Sequence, residues 1–299
     1  MKNTFVHYGK GQLYEISWQQ EDYVVIKDIQ TNQYLRISGN LLHFLKSCSD
    51  DEGGHLCAEL FRRAPPSSFQ RKSFLTRRVF EGKVPPQLVP KGLSFLFSSP
   101  RVMFTVIIIS LMLTCALRWD EGAVLPKGVS FAWVILNIMC HEMGHVLACI
   151  QTGRKVGNIG FKLNYGLPMF FVDTKDVCMA SSQGRMSTSL GGVYANALLL
   201  LSLLTIEIAT QQSYAVLTGI SLGFIVSNLI PFARLDGYYV LSDLLGRSDL
   251  GHDASNALRD WIKAPHILKR TALVLYGLLR LVFFGTVALI ACLSLLRCT

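Results

Sequence analysis

Polar and apolar positions divide this chain into a mixed first third and a strongly apolar remainder. Over residues 13–18 they alternate, with Tyr14, Ile16 and Trp18 on one side, which predicts a strand. Residues 23–29 predict a second strand, 30–33 a turn and 34–37 a third strand. Leu41, Leu42, Phe44 and Leu45 then recur at helical spacing. Leu56, Cys57, Leu60 and Phe61 do the same beyond a polar turn at 49–54. These elements predict a small α+β domain over residues 1–80. Pro85, Pro86, Pro90 and Pro100 disfavour regular structure and make 81–100 a linker. From 101 to 299 the chain carries five apolar runs, at 102–117, 129–150, 186–208, 214–230 and 271–296. Each predicts a transmembrane helix. Between the second and third runs, residues 151–184 are too polar for a span, and 157–163 and 169–172 predict strands.

Composition agrees with a mainly α membrane protein carrying a modest soluble part: 51% hydrophobic, 16% charged, mean hydropathy +0.36. The net charge is +9, and its distribution matters more than its sum. Arg154, Lys155, Lys162, Lys175 and Arg185 follow the second run. Arg234, Arg247, Arg259, Lys263, Lys269 and Arg270 follow the fourth. The opposite-side loops hold only Arg118 and Lys127. Positive charge marks the cytoplasmic side, so the N-terminal domain is expected in the cytosol, the C-terminus outside, and the ends of spans two and four on the cytosolic side. No basic run is interleaved with exposed aromatics, which argues against nucleic acid as a partner. The eight cysteines are scattered without a Cys-x-x-Cys pair and read as small core residues. The first residues lack the apolar stretch of a cleavable signal peptide.

The chemistry concentrates at His141-Glu142-Met143-Gly144-His145, inside the second span. On a helix the two histidines are one turn apart and face the same way. Two neutral imidazoles on one face can hold Zn²⁺, and the Glu between them can take a proton from a zinc-bound water. Such polar side chains are costly in hydrocarbon unless they bind something. A catalytic zinc needs a third protein ligand. Asp236 is a candidate, because it follows the fourth span on the same side; as a lone residue it reads first as an ordinary helix-capping Asp. Asp173 and Asp176 are rival ligands, substrate contacts or solvated loop carboxylates.

Two long motifs carry a resemblance to the site-2 protease family of intramembrane zinc metalloproteases. His141-Glu142-x-x-His145 matches that family's first motif. Asn228-x-x-Pro231-x-x-x-Leu235-Asp236-Gly237 matches its second, in the same order and at a similar separation. Gly192-Val-Tyr-Ala-Asn196 looks like its intermediate element, although Gly192 by itself could simply allow close helix packing. The resemblance implies a zinc site between helices, held by His141, His145 and Asp236, with Glu142 as catalytic base and acid. It implies Asn196 as a catalytic neighbour that stabilises the oxyanion or orients substrate, and Asn228 and Pro231 as residues shaping the loop that carries Asp236. It also implies a metalloendopeptidase in a bacterial cytoplasmic membrane. Residues 23–61 resemble a winged-helix-like domain that recognises leader peptides in ribosomal-peptide maturation. The expected substrate is therefore a membrane-associated or small ribosomal precursor peptide, and the lipid bilayer is the second partner. The alternative is a non-catalytic export or immunity protein on the same scaffold. Such a relative would usually have lost Glu142 or a ligand, and none is missing.

Overall fold

The computed structural model describes residues 4–9, 12–18, 23–31, 33–38, 41–63, 76–83, 91–116, 126–164, 167–247, 249–263 and 271–297. The chain divides into two compact units, Met1–Val226 and Ser227–Thr299.

The first unit opens with strands β1 (Thr4–Gly9), β2 (Gln12–Trp18), β3 (Tyr23–Asp28) and β4 (Gln33–Ser38), an antiparallel sheet in sequential order. Strand alternation sends Tyr14, Ile16, Val24 and Ile26 to one face. There they form a core with Leu45 of helix α1 (Leu42–Ser47) and Cys57 of α2 (Asp50–Arg63). Burial pushes the Cys57 thiol up to about 12. β1 is an element the apolar pattern does not predict. Its inward face carries His7, buried with Nε2 donating to the Leu45 carbonyl at 2.7 Å, while Val6 and Tyr8 face outward. Phe5 also packs inward, so apolar side chains lie on both faces of β1 and the alternation is blurred.

Helices α3 (Pro100–Ala116), α4 (Lys127–Gln151), α5 (Ser182–Thr210) and α6 (Ala215–Leu229) follow the predicted apolar runs closely. In the second unit α9 (Thr271–Arg297) does the same for the fifth. Among the described residues, α4 and α5 are long and apolar enough to cross a membrane. Two of the five expected spans meet this measure, and α3 and α6 fall short of it. Helices of 17 and 15 residues, as in α3 and α6, rise only about 22–26 Å, short of a ~30 Å hydrocarbon core. Strand β5 (Thr76–Lys83) pairs antiparallel with β6 (Asn158–Asn164), which pairs with β7 (Leu167–Val172). Residues 81–83 of the expected linker are therefore strand, Lys91–Phe97 is a 3₁₀ turn, and Pro85, Pro86 and Pro90 lie outside the described residues.

The second face of the N-terminal sheet meets the chain on either side of β6 and β7. Asp176, in the 3₁₀ turn Lys175–Met179, is buried. Its Oδ1 accepts from the Lys27 ammonium and, at 2.9 Å, from the Tyr34 hydroxyl; its Oδ2 accepts from the Lys155 backbone N–H at 3.0 Å. Arg154 donates to Glu15 at 2.7 Å and to the Met179 carbonyl at 2.8 Å, which also accepts from Ser17 at 3.1 Å. Asp176 is therefore not a solvated loop carboxylate. Burial raises its pKa, but the bonds and charge of Lys27, the Lys155 N–H and the Tyr34 hydroxyl outweigh that and hold it below the ordinary value. Burial and the neighbouring Asp176 push the Tyr34 phenol upward. Removing one partner of a buried pair strands the other charge, so Asp176→Ala is expected to cost about 3–5 kcal/mol of stability. Because the carboxyl is depressed in the folded chain, its contribution is complete above the unfolded value of about 4 and fades as pH falls through the lower folded value. Thermal melts from pH 7 to 3 check both: the wild type should lose an acid-labile increment that Asp176→Ala lacks.

The second unit contains α7 (Asp236–Leu244), α8 (Leu250–Lys263) and α9, with a core of Tyr238, Leu250, Ala254, Ala257, Leu273 and Tyr276. The Tyr238 hydroxyl donates to Asp249 at 2.9 Å and accepts the Gly251 N–H at 2.9 Å. Arg280, a charge within the last apolar run, lies against the start of α8. A Cβ on Gly251 would come within 2.6 Å of its Nη1, and its guanidinium stands 5.6 Å from the Phe284 ring centroid.

Candidate metal centre

Helix α4 presents His141 and His145 one turn apart, as their spacing requires. Their rings stand nearly perpendicular, at 87°, with centroids 4.7 Å apart, and the two Nε2 atoms approach to 3.1 Å. His145 Nδ1 lies 2.7 Å from the Thr188 carbonyl oxygen on α5. A carbonyl can only accept, so Nδ1 carries the proton and Nε2 of the neutral ring keeps its lone pair. This is the arrangement that orients a metal-binding imidazole. Two nitrogens held at 2.0–2.1 Å by a tetrahedral ion sit about 3.3–3.4 Å apart, so the observed pair needs only a few tenths of an ångström of adjustment.

Paired glycines on α5 make the room. A Cβ on Gly144 would strike the Gly191 carbonyl, and one on Gly191 would meet the Gly144 oxygen at 2.5 Å, so the two helix backbones touch directly. One residue on, Gly192 faces the imidazoles. A Cβ there would lie 2.6 Å from His145 Nε2 and 2.7 Å from His141 Nε2. Close packing thus belongs to Gly191, and Gly192 is the floor of a cradle beneath the two nitrogens.

A turn away on the same two helices, Asn196 and Asn137 are fully buried, and Asn196 Nδ2 donates to Asn137 Oδ1 at 3.3 Å. Asn137 Nδ2 donates in turn to the Trp133 carbonyl at 3.0 Å, and Trp133 Nε1 donates to Ser221 Oγ on α6 at 2.9 Å. Asn137 and Thr188 are absent from the sequence-derived set. Asn137 carries a readable signal, a polar residue four before His141 within an apolar run; Thr188 acts through its backbone and carries none.

In the second unit, Asp236 is the first residue of α7, where the helix dipole favours a carboxylate. Gly237 has no room for a Cβ, which would collide with the Leu229 carbonyl, and this lets α7 begin hard against the end of α6. The Pro231 carbonyl accepts from the Tyr276 hydroxyl at 2.8 Å, fixing the intervening loop. Asn228 lies half-buried in the last turn of α6, and Glu142 lies half-buried beside His141.

One ligand atom each from His141, His145 and Asp236 falls within 4.8 Å of the others, the one such group of His, Cys, Asp and Glu among the described residues. Asp173 and Asp176 are outside it: Asp173 pairs with Lys175 at 3.3 Å and Asp176 with Lys27. Imidazole nitrogen and carboxylate oxygen are donor types that Zn²⁺ takes.

That donor set, on apolar helices and beside a glutamate, is of the zinc-hydrolase type. The chain is 27% identical over 202 residues to the protein named "Putative peptide zinc metalloprotease protein YydH" of Bacillus subtilis (strain 168). The match covers 64% of this chain and 75% of that relative. This similarity supports the family resemblance carried by the two motifs. No family profile matches the chain, and no solved structure does.

Proposed function

We propose that this chain is a multi-pass membrane zinc endopeptidase. In this reading it cuts a membrane-associated or small ribosomal precursor peptide during maturation or export. The observation that carries the reading is the grouping of His141, His145 and Asp236 ligand atoms beside Glu142. Bound zinc would acidify a water and polarise the scissile carbonyl. His141 and His145 would hold it through Nε2, with Thr188 fixing the tautomer of His145, and Asp236 would complete the set. Glu142 would take the proton of the attacking water and deliver it to the leaving amine. Asn228 and Pro231 would shape the loop before Asp236. The N-terminal domain would lie in the cytosol of a bacterial cell, as the distribution of Lys and Arg supports. The similarity to a relative named a peptide zinc metalloprotease supports a peptide substrate.

The experiment is to compare the peptides of cells carrying the wild type and Glu142→Gln. A precursor that accumulates uncut only in the variant identifies the substrate; identical processing in both sinks the reading. Zinc analysis tests the ligand set separately. Losing an outer-sphere partner weakens metal binding about 10–100-fold, so loss of the carboxylate ligand in Asp236→Ala is expected to exceed that. After dialysis against a weak chelator, zinc content unchanged from wild type would remove Asp236 from the set.

A further inference from the structure

We propose that Asn137 is a positioning residue. It locks the Asn196 side chain so that Asn196 offers its amide oxygen, a hydrogen-bond acceptor, to the backbone N–H of the bound peptide. The inference rests on the endopeptidase reading above and adds to it a residue that neither family motif contains.

Each amide's orientation follows from its partner. The Trp133 carbonyl can only accept, so the Asn137 nitrogen must face it. The Asn137 oxygen is then left to face Asn196, which must answer with its nitrogen. The Asn196 oxygen therefore points away from Asn137. It is buried, and among the described residues no hydrogen-bond partner reaches it. A buried acceptor without a partner is costly, and structures that keep one usually have a use for it. Its place supports that use. Asn196 is one helical turn beyond Gly192, the residue under both imidazole nitrogens, and Asn137 is one turn before His141, so the pair sits about 6 Å along the helices from the histidines. An extended peptide laid over the histidines carries one N–H per residue that needs an acceptor once it leaves water. Of the two roles open to Asn196, the locked amide favours orienting the substrate over donating to an oxyanion.

The test uses the zinc-loaded full chain in detergent and two probes. One is a peptidyl hydroxamate; the other is its depsipeptide analogue, with the backbone N–H nearest the hydroxamate replaced by oxygen. The wild type is expected to bind the amide about ten-fold more tightly than the ester. That ratio should fall to within about two-fold of unity in both Asn196→Ala and Asn137→Leu, with zinc content held at the wild-type level. Asn137→Asp keeps an oxygen towards Asn196 and is expected to retain most of the preference. This variant serves if Asn137→Leu does not fold, and loss of the preference in it with zinc retained overturns the proposal. A wild-type ratio in zinc-replete Asn137→Leu, or no amide preference in the wild type, also overturns it. Failure of the wild type to bind either hydroxamate would instead sink the zinc reading itself.

Discussion

Glu142→Gln should slow peptide hydrolysis by about 10²–10⁴-fold and leave zinc in place. Gln matches the size of Glu and is equally at home in a helix, so α4 keeps its course and His141 and His145 keep their faces. Glu142 is not in the His141, His145 and Asp236 group, so the substitution removes no ligand. What Gln cannot do is accept a proton from water at neutral pH and return it to an amine. The loss should therefore fall on kcat, with KM little changed, because the missing interaction exists only while the proton moves. Parallel zinc analysis and single-turnover assays on the accumulated precursor check both halves. A variant that cuts at the wild-type rate places the base elsewhere. A variant that has lost its zinc would mean that Glu142 serves the metal rather than the proton.

Local patterning made the long helices and the histidine pair legible, because both depend on residues close in sequence. The apolar runs at 129–150 and 186–208 become α4 and α5 with ends displaced by only a few residues. The spacing of His141 and His145 needs nothing but helix geometry to converge. Features made by distant segments were hidden. Asp176 looks like a loop carboxylate until Lys27, some 150 positions earlier, is brought against it. β1 was missed because its buried position is a histidine satisfied by a carbonyl 38 residues away. β5 was missed because its partner, β6, lies beyond α3 and α4 in sequence. Gly192 alone reads as a packing device, and only the facing helix shows that its neighbour Gly191 makes the close approach while Gly192 faces the imidazoles.

That division of tasks makes Gly192→Ala the substitution with the largest expected effect on metal binding outside the ligands themselves. The added Cβ would stand 2.6–2.7 Å from three ring atoms, His145 Nε2 and His141 Nε2 and Cε1, closer than real carbon contacts allow. α5 cannot back away to relieve it, since Gly191 is already in backbone contact with α4. The rings must rotate instead, and His145 can do so only by giving up its 2.7 Å bond to the Thr188 carbonyl. Zinc affinity should therefore drop at least ten-fold, while the helices still pack. Gly191→Ala should show the reverse emphasis, an overpacking cost of about 1–3 kcal/mol in thermal stability from the helix interface. Gly219→Ala on α6, where a Cβ meets nothing within 4 Å, serves as the control and should be neutral or slightly stabilising, since Ala favours a helix over Gly by up to about 1 kcal/mol. Zinc titrations and melts on the three variants separate the cases. If Gly192→Ala binds zinc as the wild type does, the two Nε2 atoms do not face the ion, and the cradle assigned to Gly192 is wrong.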